Sequence, residues 1–247
     1  MHDANPARSV ARDARFPRSR PWSSAEVLHG LDREQLAATQ VGKHAELLWY
    51  DTVTEYDSQN FFRHVGSLRD GGQRFSADFQ AFEDAWLIDE RNHYEGYRQL
   101  LSMVSGRSED DIHAEVTSRE ADFGPVKQLL HDEFSVCVVL AYDELFTAQS
   151  CNKDFELFSS SGDPRLARWI RLVARDEGYH FLNIVDVLRR NYAHRRAEVP
   201  AMLDTLLHWD EHERPYQATF VLDHVSERFT RESLQRNVDV IMHLLDA

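Results

Sequence analysis

The motif Asp-Glu-x-x-His occurs twice, as DERNH over 89–93 and as DEGYH over 176–180, each inside a long run without helix breakers. On an α-helix a Glu and a His three residues apart share one face, about 4.5 Å apart along the axis, so both can reach one metal ion. Two such pairs in one chain can hold two metals. This demand for long, rigid, facing helices constrains the fold more than any other feature of the sequence.

The breakers fit that demand. Gly71-Gly72, Ser105-Gly106, Gly124-Pro125, the run from Ser159 to Pro164, Val199-Pro200 and Arg214-Pro215 divide the chain into long segments. Four helices are predicted between them, over roughly 37–66, 76–104, 125–151 and 164–195. Asp163 before Pro164 is a good helix start, because the carboxylate caps free N–H groups and proline suits the first turn. The stretch FSVCVVLAY at 134–142 has strand-like composition. Its run continues without a turn signal to about 150, longer than ordinary strands, which argues for a helix buried on most faces. A short helix is predicted near Ser24, with two or three more in 198–246.

Each repeat has an unpaired Glu upstream on the preceding helix: Glu55 lies 35 residues before Glu90, and Glu144 lies 33 residues before Glu177. Glu55, Glu90, His93, Glu144, Glu177 and His180 can therefore project into one central layer of an antiparallel bundle. Four carboxylates and two divalent ions leave such a cluster near neutrality, whereas four buried acids without metal would be very costly. Carboxylate and imidazole donors suit iron or manganese, and the lack of nearby thiolates argues against structural zinc. Asp89 and Asp176, four residues before each His, are placed to accept a proton from a ligand imidazole and so select the nitrogen that faces the metal.

Competing residues are weaker candidates. Glu46 and Glu133 would break the matched spacing of the two halves. A third Glu-x-x-His, at Glu26 and His29, follows Ser23 in a helix-capping pattern. His208 and His212 share a helical face but lack a companion ligand. Trp86, Leu140 and Val173, one turn before the ligands, could line an apolar pocket, although core packing is the simpler role for each.

The segments TEYDSQNF around Glu55, AWLIDERNHYEGY around Glu90, LAYDELFTAQ around Glu144 and VARDEGYHF around Glu177 resemble the ferritin-like non-heme di-iron oxidase superfamily. In order and spacing they are most similar to its soluble acyl-carrier-protein desaturase branch, over about residues 40–195. The resemblance implies an all-α, ferritin-like four-helix bundle with additional C-terminal helices that pack on it or form a homodimer contact. It also implies two iron ions, or a Mn/Fe pair, with O2 as co-substrate, an electron donor such as a ferredoxin, and oxidation of a C–H bond by desaturation or hydroxylation. Glu90 and Glu144, and Glu55 and Glu177, would bind or bridge the metals, with His93 and His180 each on one iron. Thr147 would stand beside the oxygen-binding face.

The chain is shorter than plant-type desaturases, so the expected substrate is a small organic or acyl compound, free or carrier-bound. Amine N-oxygenases share the repeat but carry an extra His where this chain has Val173. Tyr97 matches the radical tyrosine of ribonucleotide reductase small subunits, in a more compact ligand spacing. Metal storage is a further alternative.

Composition narrows the partners. The net charge of −14 argues against nucleic-acid and anionic-membrane surfaces, and no apolar run approaches the length of a membrane span. Residues 1–22 are Arg-rich and read as a mobile extension preceding one domain over 23–247, with accessory helices in 198–246. Cys137 and Cys151 on one helix would lie about 21 Å apart, beyond disulfide reach, which fits a reducing cytoplasm.

Overall fold

A computed structural model describes residues 16–119, 121, 123–210 and 229–246. The described residues are all-helical in their regular structure: α1 (Ser24–Val27), α2 (Arg33–Ala38), α3 (Ala45–Asp70), α4 (Ala77–Ser105), α5 (Glu109–Ser118), α6 (Glu133–Ser159), α7 (Pro164–Asn191), α8 (Val199–Asp210) and α9 (Arg231–Asp246), with short 3-10 turns between some of them. No described helix is long and apolar enough to cross a membrane.

Local chemistry sets the ends of the long helices. Ser76 caps α4 by accepting from Phe79 N–H at 3.1 Å, and Gly106 ends it in a left-handed conformation (φ 79°) that costs glycine little. Asp163 caps α7 as its sequence predicts, accepting from Arg165 N–H at 2.8 Å. The third long helix starts at 133, not 125. Gly124–Leu129 forms a 3-10 turn, and a reciprocal cap between Asp132 and Ser135 then restarts the chain as α6. Likewise α3 begins at 45 because 33–38 forms a separate helix followed by a 3-10 turn at Val41–Lys43. The strand-like stretch 134–142 is helical and wholly buried, which explains its composition: it has no solvent face to make polar.

Helices α3 and α4 pack together, α6 and α7 pack together, and the two pairs meet through α4 and α7. Two apolar clusters fill the interior. One contains Phe61 of α3, Phe82 and Trp86 of α4, Phe146 of α6 and Ile184 of α7. The other contains Val53 of α3, Tyr97 and Leu100 of α4, Cys151 of α6 and Trp169 and Val173 of α7. Every long helix thus passes from one cluster into the other, and the acidic and histidine residues lie at the crossing.

The C-terminal helices pack on this frame: Tyr142 donates to Asp210 at 2.6 Å, and Gln149 and Asn237 exchange amide hydrogen bonds at 2.7 and 3.0 Å. Residues 16–22, expected to belong to a mobile extension, lie against α7. Arg18 N–H donates to Asn183 Oδ1 at 2.8 Å, Asn183 donates back to Arg18 C=O at 3.0 Å, and the Arg18 guanidinium pairs with Asp186 at 2.8 Å. Residues 1–15 fall outside the described residues, as does His212.

Gly96 is packed closely against Trp169 of the second cluster. A Cβ there would lie 2.6 Å from the Trp169 ring and 2.7 Å from Ser24 Oγ, the same hydroxyl that accepts from Trp169 Nε1 at 2.9 Å. Gly96→Ala improves helix propensity by about 1 kcal/mol, but overpacking costs about 1–3 kcal/mol and the indole–hydroxyl bond is strained as well. Urea unfolding should show a net loss of about 1–2 kcal/mol at unchanged slope. A variant as stable as the parent would show that α1, α4 and α7 are not in close contact here.

Candidate metal centre

The six predicted side chains meet. Glu55 comes from α3, Glu90 and His93 from α4, Glu144 from α6, and Glu177 and His180 from α7, all buried. They form two sets whose donor atoms converge: Glu55, Glu90, His93 and Glu177 in one, Glu90, Glu144, Glu177 and His180 in the other. Glu90 and Glu177 belong to both.

Glu177 has the clearest bridging geometry. Its Oε1 lies 2.9 Å from His93 Nδ1, and its Oε2 lies 3.1 Å from His180 Nδ1. His93 Nδ1 is also 3.4 Å from Glu55 Oε2, while His180 Nδ1 is 3.2 Å from Glu90 Oε1 and 3.2 Å from Glu144 Oε2. On the His93 side, Glu55 Oε2, Glu177 Oε1 and His93 Nδ1 are buried and lack hydrogen-bond partners. Close approach without hydrogen-bond geometry means that these donors aim at a common point and not at each other, as a cation requires. The residues present therefore fit a pair of divalent ions.

Both aspartates stand behind the ligands in a crossed arrangement. Asp89 Oδ2 faces His180 Nε2 at 3.4 Å, and Asp176 Oδ2 faces His93 Nε2 at 3.5 Å. An Asp four residues before the His on each helix comes level with the other helix's His only if α4 and α7 run antiparallel. In this position Asp89 takes the Nε2 proton of His180 and leaves Nδ1 facing the cluster, and Asp176 stands at the corresponding place behind His93 Nε2. Asp176 is itself fixed by Arg175, at 3.0 and 2.7 Å, and by the Trp22 indole N–H. Trp22 is 154 residues from Asp176 along the chain, and no local pattern in the sequence marks it; Arg175 is its neighbour, yet an Arg beside an Asp is too common to be a signal.

The electrostatics follow from burial. Burial raises the Glu90 carboxyl well above the usual range, and the charges of Glu177 and Glu55 raise it further. Burial also raises Glu144 and Glu55, against the opposing pull of His180 and His93 respectively. Burial would raise Glu177 too, but the two imidazoles outweigh it and lower that carboxyl. For His93 and His180, burial disfavours the proton; Glu55 and Glu177 overcome this at His93, and Glu144 and Glu177 at His180, raising both well above 6.5. Without metal the cluster thus balances its charge with protons.

The competing residues lie elsewhere. Glu46, Glu26 and His29 are exposed, and so is His208. Glu133 is buried but accepts from the Ser76 hydroxyl at 2.6 Å. The Thr147 hydroxyl donates to Asp143 C=O of its own helix at 3.2 Å. Tyr97 is buried edge-on to Trp169, with ring centroids 4.7 Å apart. Trp86 stacks on Phe82, and Leu140 and Val173 are core residues. Both cysteines are free. No family model, curated protein or solved structure matches the chain.

Sharing of ligands has a measurable consequence. Metal analysis after reconstitution should find about two ions per chain and almost none in Glu90→Ala or Glu177→Ala. Glu55→Ala and Glu144→Ala should each retain about one ion, since each serves a single position. Equal losses in all four variants would contradict the shared geometry.

Metal must also displace the protons on the raised imidazoles and carboxyls. Calorimetric titration in buffers of different ionisation enthalpy should show net proton release, and affinity should rise as pH is raised above 6.5, since both imidazoles keep their protons beyond that point. Binding heats independent of the buffer would contradict this assignment.

Proposed function

We propose that the chain is an oxygen-activating non-heme di-iron oxidoreductase on a ferritin-like helical frame, oxidising a C–H bond of a small organic or acyl substrate. The observation that carries this reading is the Glu177 carboxylate, with one oxygen toward each imidazole and both ligand sets closing around it. Two iron ions in such a carboxylate-rich site supply reductive activation of O2, with electrons from a donor protein such as a ferredoxin.

The protein's own groups have distinct tasks. Glu55 and His93 define one position, Glu144 and His180 the other, and Glu90 and Glu177 hold the two at a fixed separation. Asp89 and Asp176 keep the ring protons on Nε2. The apolar clusters on either side keep bulk water away from reactive oxygen species and strengthen every charge interaction inside. Three bridging or terminal carboxylates would have served a single ion; the symmetric set of four supports a pair.

Anaerobic loading with ferrous iron followed by mixing with O2 tests the reading. Iron uptake should saturate at about two per chain, and an O2-dependent optical transient should decay faster when short acyl or aryl compounds are present. Continued oxidation of excess iron with mineral growth would instead assign the site to storage. Electron paramagnetic resonance should show no tyrosyl signal, consistent with a structural Tyr97.

A further inference from the structure

A cleft of about 290 Å³ opens between α3, α4 and α5 and has Glu55 in its wall. It is the opposite of the chain as a whole in its charge. On a protein of net charge −14, this concavity gathers Arg63, Arg91 and Arg98. Arg98 is held by Glu109 at 3.1 Å. Arg63 and Arg91 are exposed and have no carboxylate within ion-pair distance among the described residues, although Arg63 also donates to Asn60. Glu55 faces His93 and is balanced within the proposed centre, so among the groups left to the cleft three arginines against Glu95 and Glu109 leave one positive charge in surplus.

In the same cleft, one turn beyond Glu55, the Gln59 Nε2 amide is buried with no hydrogen-bond partner. A buried donor without an acceptor is costly, about 1–3 kcal/mol, and calls for a ligand that supplies one. The rest of the wall is aromatic: Tyr56 packs on Tyr94 with ring centroids 5.3 Å apart, and the Tyr94 hydroxyl is fixed on His113 Nδ1 at 2.7 Å. The concavity therefore combines one surplus positive charge, an unused N–H donor and flat apolar walls, and it ends at a ligand of the proposed centre.

The geometry points to a small organic monocarboxylate as the molecule that enters here, with its carboxylate on Arg91 and Gln59 and its apolar body against Tyr56 and Tyr94. A single surplus charge matches a monoanion, and a carboxylate presents only acceptors, as Gln59 requires. The inference deepens the di-iron reading and rests on it for the fate of the bound acid, but binding itself can be measured separately.

Phenylacetate and its neutral isostere phenylacetamide are the probes, titrated calorimetrically into the full-length, iron(II)-loaded protein without O2, with iron content determined on the same samples. Phenylacetate should saturate one site, and phenylacetamide should bind at least about tenfold more weakly. Arg91→Gln and Gln59→Leu should each weaken phenylacetate about tenfold at unchanged iron content. Arg171→Gln, whose guanidinium lies over Phe155 away from the cleft, should change nothing. Absence of saturable binding, equal affinity for acid and amide, or insensitivity to both cleft variants would overturn the inference. So would inorganic phosphate binding as tightly as phenylacetate, because the cleft would then read charge alone. Should the protein bind no iron, the di-iron reading falls, and the same titration on the iron-free protein still decides the cleft.

Discussion

Four carboxylates and two imidazoles face one another between two apolar clusters, and the structure is organised around neutralising them. At about 4 Å, two like charges repel by roughly 4 kcal/mol at an effective dielectric constant near 20. Each buried ion also loses several kcal/mol of hydration. Hydrogen bonds of about 1–3 kcal/mol to charged groups do not offset such a sum. The chain therefore needs positive charge at the centre, either as protons on raised imidazoles and carboxyls or as metal ions.

Such a centre must be held rigidly, and the two apolar clusters do this. Because α3, α4, α6 and α7 each contribute to both clusters, a ligand on any of them is clamped above and below. Asp89, Asp176, Arg175 and Trp22 then fix the imidazoles from behind. The chain between residues 16 and 24 closes over this region, so a segment distant in sequence from every ligand orders one of them. Gly96 shows how close that approach is, since no side chain fits between α4, Trp169 and Ser24.

The helices were legible to different degrees. Asp163-Pro164 marked the start of α7 because its cap is made by neighbouring residues. The start of α6 lies eight residues beyond the expected one because Gly124-Pro125 looks like the last break before a helix, while the Asp132–Ser135 cap, seven residues after Pro125, is the one that forms. The short α2 and α5 were not distinguished from their long neighbours or from loop, having too few turns to develop a pattern. Glu55 and Glu144 were identified by matched spacing to the repeats; Gln59 and Arg91 were not, since nothing in their spacing separates them from ordinary surface residues.

By itself the sequence determined which residue types could make a metal centre and that they lie on long helices, because a repeat at i and i+3 and the distance between helix breakers are properties of the chain alone. Only the tertiary structure decided that Glu90 and Glu177 are shared, that Asp89 serves His180 and Asp176 serves His93, and that a cationic cleft ends at Glu55. These depend on the direction and rotation of one helix against another, which packing of side chains from distant segments sets and no local spacing encodes.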